Sequence, residues 1–197
     1  MKIVANIISI IFNPLVIAPF TFYILIFNDL TPNKYFLFTI TFIFTSLLPF
    51  FSILYYKKLG KISSLEAPIR KQRLELLIIS SIFNAIGFML VQYFHASNIV
   101  RGLMFCYAFN TIITWLITRY WKISIHMIGL GGPFIALFLS GYDFFMIYGI
   151  ILITVYYSRI KLKAHNHLQL ITGTCLASVL AYIQLKYRIT KCGLKMR

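Results

Sequence analysis

Long apolar runs alternate with short basic stretches from one end of the chain to the other. A helix needs roughly 20 apolar residues to cross a bilayer. Seven runs qualify, at about 3–27, 35–56, 74–93, 98–118, 124–140, 143–157 and 165–186. The pattern predicts an all-α fold, a polytopic transmembrane helical bundle of six to seven spans, in one membrane-integral domain over residues 1–197. The N-terminal run reads as a retained first span, because it is too long for a signal-peptide core and has no small-x-small cleavage site. It is expected to kink at Asn13-Pro14, where proline removes a backbone donor. Gly129, Gly131, Gly132 and Pro133 are expected to break the fifth span or admit a close neighbour. Gly173 and Ala177 have the small-x-x-x-small spacing of a packing face. Asn84 and Asn110 are expected to hydrogen-bond between helices.

Parity adds a prediction. With seven spans, the loops Lys57–Arg73, Arg119–His126 and Ser158–His167 share one membrane face with the N-terminus. That face then carries twelve of the 19 Lys and Arg residues, so the positive-inside rule places it in the cytoplasm.

Composition agrees with the runs: 60% of residues are hydrophobic and the mean hydropathy is +0.84. The net charge is +15, with only four acidic residues. In a soluble chain such a charge would point to nucleic acid. Between apolar runs it points to topology and anionic headgroups instead, so membrane lipids are the expected partners and nucleic acid is not.

Scarce carboxylates exclude much chemistry. Magnesium-dependent prenyl or phosphatidyl transfer needs several of them, and glycoside hydrolysis needs a facing pair. No zinc spacing, no Ser-His-Asp arrangement and no paired cysteine motif is present; Cys106, Cys175 and Cys192 stand alone. No metal and no cofactor is expected. What remains is two histidines among fixed cations. Arginine forks match phosphate oxygens, helix N-termini offer free N–H groups, and imidazoles can act as nucleophile and acid. The combination permits metal-free phosphoryl transfer, with cations stabilising the transition state.

The segment Ser158-Arg159, five residues, His165 resembles the third signature of the type 2 phosphatidic acid phosphatase and vanadium haloperoxidase superfamily, Ser-Arg-x-x-x-x-x-His-x-x-x-Asp. Lys122-Ile123-Ser124-Ile125-His126 is similar to its second signature, Pro-Ser-Gly-His. Arg70-Lys71-Gln72-Arg73 lies where the first, Lys-x-x-x-x-x-x-Arg-Pro, would fall. The three occur in the family's order within 57–185. The resemblance implies an integral membrane phosphatase in a bacterial inner (plasma) membrane, acting on a lipid phosphate or lipid pyrophosphate through a phosphohistidine. His165 would be the nucleophile and His126 the acid for the leaving group. Arg159, Ser124 and Arg70 or Arg73 would hold phosphate, with Lys61, Lys71 or Lys122 candidates for the charge of the first-signature lysine. Gln169 stands at the family's Asp position, one helical turn from His165, where it can accept the imidazole N–H but cannot offer a full negative charge. Glu66 stands at the first-signature Lys position. The rival readings are a catalytically degenerate relative that binds anionic lipid without turnover, and a membrane accessory or transport protein.

Overall fold

The computed structural model describes residues 2–29, 33–67 and 69–191, with no strand among them. Helices α1 (Lys2–Ile11), α2 (Pro14–Phe27), α3 (Lys34–Phe42), α4 (Leu48–Lys58), α5 (Arg70–Tyr93), α6 (Asn98–Tyr120), α7 (Ile125–Leu139), α8 (Phe145–Lys161) and α9 (His167–Lys191) follow in order. A π-helical turn, Ile43–Leu47, joins α3 to α4. Cys192, Lys195 and Arg197 lie outside the described residues.

Four helices are long and apolar enough to cross a membrane: Lys34–Lys58, Arg70–Tyr93, Asn98–Tyr120 and His167–Arg188. A fifth is added if α1 and α2, bent by 42°, form one broken span. The bend falls at the expected Asn13-Pro14. Asn13 Oδ1 accepts from Leu15 N (3.0 Å), and Pro14 opens α2 at the position where a missing N–H costs nothing. Helix α7, with 15 residues, is shorter than a full crossing. Large apolar side chains such as Ile82, Met89, Met146, Ile150 and Ile153 face outward. Such an exterior suits lipid rather than water, consistent with a multi-pass membrane protein.

The π turn ends just before Pro49, whose missing N–H already interrupts the i→i+4 ladder. Helices α5 and α6 form an antiparallel hairpin, and α9 packs along α6 and α7. Phe22, Ile26, Val91, Leu103, Met104 and Leu185 make the larger core; Met127, Leu130, Val155 and Leu170 make a second around α7 and α8.

The glycines of α7 admit neighbours and do not break it; the helix runs continuously through Pro133. A Cβ on Gly129 would lie 2.5 Å from Pro14 Cγ, and one on Gly131 would lie 2.7 Å from Ala177 Cβ. Gly173 meets the Ser124 carbonyl at 3.1 Å in the same way, so the small residues of α9 are a packing face. Asn110 Oδ1 accepts from Gln184 Nε2 (2.8 Å), an α6–α9 bond of the expected kind. Asn84 departs from expectation: its Oδ1 is buried without a partner among the described residues.

Candidate functional site

Ser158 and Arg159 were expected in a loop but lie in the last turn of α8. Both find buried partners, so the helix continues to Lys161. Ser158 Oγ donates to the Ala5 carbonyl (2.7 Å), tying α8 to α1. Arg159 is 1% exposed. Its Nη1 donates to Ser9 Oγ and to both Glu66 oxygens, at 3.2 and 3.0 Å. Ser9 Oγ in turn donates to Glu66 Oε1 (2.8 Å). A buried guanidinium is tolerated only when paired and hydrogen-bonded; Glu66 with Ser9 meets that need at Nη1, while Nε is buried with no partner among the described residues.

His126, the second residue of α7, reaches the same centre. Because Ser9 Oγ gives its proton to Glu66, His126 Nε2–H is the donor toward Ser9, to its carbonyl at 3.1 Å and its hydroxyl at 3.3 Å. Ser124 caps α7: its Oγ accepts from Met127 N (3.5 Å), and its own N–H donates to the Gln169 carbonyl (3.3 Å). That backbone bond brings the starts of α7 and α9 together. Arg73, in the first turn of α5, is buried and clamps two loops, donating from Nε to the Ala67 carbonyl (2.7 Å) and from Nη1 to the Ile123 carbonyl (3.4 Å).

His165 is oriented by the start of α9. Asn166 Oδ1 accepts from Gln169 N (2.9 Å), and Gln169 Oε1 accepts from Asn166 N (3.4 Å), a reciprocal cap. The Asn166 N–H fixes which end of the Gln169 amide faces inward. Oε1 therefore also accepts from His165 Nδ1 (2.9 Å), and the imidazole is the Nδ1–H tautomer. Its Nε2 carries the lone pair, buried and with no partner among the described residues.

The charges act on one another. Burial drives the His165 pKa down to about 3; the Gln169 bond opposes the shift, and the charges of Arg73, Arg159 and Lys122 reinforce it. Burial and then the same two arginines lower Lys122. At Glu66 burial works upward, but Arg159 and the Ser9 hydrogen bond outweigh it and hold the carboxyl below its usual range. Arg73, Arg159, Lys122, His126 and His165 thus form one electrostatic unit. Arg70 is directed elsewhere, donating to the carbonyls of Thr118 and Arg119 at the end of α6. Ser9 and Glu66 are the participants that sequence reasoning did not assign. Ser9 is signalled by a serine inside an apolar helix, and Glu66 by an acid in a basic loop, at the first-signature Lys position.

A crevice of about 400 Å³ reaches this unit at Glu66, Arg73 and His126. Its other walls are mostly apolar, with Ile10, Val16, Phe50, Ile53, Leu65 and Leu76 among them, and Asn13 and Ser80 add polar groups.

The neutral His165 has a consequence for stability. In the unfolded chain it takes up a proton near pH 6.5, in the folded chain only near 3. Between those values the unfolded state binds more protons, so stability falls as pH falls through the window. Thermal unfolding from pH 7 to pH 4 is expected to show several degrees less loss of Tm in His165→Gln than in the wild type. Equal losses would assign the acid sensitivity to other groups.

Comparison with family models, with curated proteins and with solved structures finds no match to this chain.

Proposed function

We propose that this chain is a membrane-integral, metal-independent phosphatase of six or seven spans, a divergent member of the type 2 phosphatidic acid phosphatase superfamily. Its substrate is a lipid phosphate or lipid pyrophosphate in a bacterial inner membrane. The observation that carries this reading is His165: an imidazole locked as the Nδ1–H tautomer by Gln169, its Nε2 lone pair free, among three cationic side chains. A buried neutral imidazole is a poor base for a solvent proton but a competent nucleophile toward phosphorus held by arginines. Nε2 attacks phosphorus, the ester or anhydride oxygen leaves, and His126, having taken up a second proton, turns from the Ser9 carbonyl to protonate it as the imidazolium and is left neutral. Cations then take the charge-stabilising role that a metal has elsewhere. The apolar crevice ending at Arg73 and His126 suits a lipid chain with its phosphate at the polar end.

The test is phosphate release by purified protein from a panel of lipid phosphates and pyrophosphates in EDTA. Release that persists in chelator and stops with orthovanadate is expected. The second reading, a degenerate relative that binds anionic lipid without turnover, draws on Glu66 seated on Arg159 and on Gln169 in place of a carboxylate. Lipid binding with no release from any member of the panel would select it.

A further inference from the structure

We propose that the centre of the bundle holds a water-filled compartment that feeds the His165 site from inside the membrane. A cavity of about 130 Å³ lies between α2, α4, α5, α6, α7 and α9. Its wall is largely apolar, with Leu77, Leu103 and Ile128, but includes Thr45, Asn84, Tyr107, Asn110, Thr111 and Thr114, and no charged side chain among the described residues. Pro49, Leu77 and Ser80 line both this cavity and the crevice that reaches Arg73, so the two adjoin. Ser80 and Asn84 follow Arg73 by seven and eleven residues, about 10 and 16 Å along α5.

The polar groups of this wall need donors. Thr45, Thr111 and Thr114 give their hydroxyl protons to the carbonyls of Thr41, Tyr107 and Asn110. Their oxygens keep lone pairs to offer. Among the described residues Asn84, 4% exposed, has no donor for its Oδ1, and the Tyr107 hydroxyl has no partner. Pro133, also on the wall, supplies no N–H to the Gly129 carbonyl one turn back. Such groups are costly in hydrocarbon unless something donates to them. The ligand must be small, neutral and rich in donors, because no charge is present to hold an ion. Water meets all three conditions, and at about 30 Å³ each roughly four molecules fit.

The role of this water rests on the proposed phosphatase reading. After phosphoryl transfer, a water oxygen bonds to phosphorus and the P–Nε2 bond breaks. The electron pair returns to His165, and the proton of the water passes to His126, which had given its own to the leaving group. A lipid lying in the crevice would close the outer route for that water.

Hydration is tested without reference to activity. In a chain with Cys106, Cys175 and Cys192 replaced by serine, Asn84→Cys and Ser80→Cys are compared with Ile86→Cys, an exposed apolar position on the same helix. A small hydrophilic thiosulfonate is expected to modify both cavity cysteines at least about tenfold faster. If neither reacts faster than Ile86→Cys, the compartment is dry and the proposal is overturned. The supply role is tested by Asn84→Leu, in which phosphoenzyme breakdown is expected to slow at least about fivefold while its formation is unchanged. Fast labelling with unaltered breakdown would overturn that role and leave the hydrated compartment. Labelling that succeeds in a chain with no phosphatase activity would fault the enzymatic reading alone.

Discussion

Replacement of His165 by alanine is expected to lower lipid-phosphate hydrolysis by at least about 10³-fold, with little change in KM. The asymmetry follows from the division of labour at the site. In the proposed reading the apolar crevice and Arg73 hold the substrate, and both are present in the variant, so ground-state binding would survive. In the proposed mechanism the lost group is the one whose Nε2 lone pair would form the covalent intermediate. Some residual rate is expected, because the cations still stabilise charge on a phosphate attacked directly by water. Loss of folding is an unattractive alternative explanation for a dead variant. Gln169 keeps its bonds to Asn166 when His165 is removed, so the start of α9 remains capped. The deciding measurement is rapid quenching with ³²P-labelled lipid: an acid-labile phosphoenzyme in the wild type and none in His165→Ala. A variant with wild-type turnover would remove His165 from the chemistry and with it the proposed mechanism.

The site divides cleanly by how far apart its parts lie in sequence. His165, Arg159 and Gln169 share one short stretch, and Ser124 and His126 another, so resemblance to short family signatures was enough to single them out. The serine cap of α7 and the Asn166–Gln169 cap of α9 are local motifs, equally legible. Arg70 and Arg73 could not be separated, because both open the same helix and only its packing decides which faces inward. Arg73 meets the loops at Ala67 and Ile123, and Arg70 the end of α6. Ser9 and Glu66 were beyond reach for a different reason. They join Arg159 across 150 and 93 residues, and no periodicity encodes such a meeting. The long apolar helices were legible because hydropathy is what keeps them in lipid. The end of α8 was not: polar residues read as a loop until buried partners are known, and here α1 and Glu66 supply them.

Those two long-range partners yield the second large effect. Glu66, 37% exposed, lines the crevice and also covers Arg159, in the position a phosphate oxygen would need. If Arg159 binds phosphate, Glu66 must give way, and each binding event includes the cost of parting the pair. Glu66→Gln removes the competing charge. Orthovanadate is expected to bind this variant about 5- to 30-fold more tightly, the range corresponding to ~1–2 kcal/mol. The same change leaves Arg159 buried with only neutral partners, so stability is expected to fall by ~1–3 kcal/mol, toward the low side because Glu66 is partly open to solvent. The two effects oppose each other in a way that a purely structural ion pair would not reproduce. Saturating orthovanadate restores the missing charge on Arg159, so it is expected to raise the Tm of the variant more than that of the wild type. A structural clamp would instead lose stability and vanadate affinity together, because the loop carrying Glu66 would no longer hold Ala67 against Arg73. Thermal unfolding with and without orthovanadate, wild type beside Glu66→Gln, separates the two outcomes. Opposite signs of change in affinity and stability make Glu66 an internal competitor for the phosphate seat; a common sign makes it a brace.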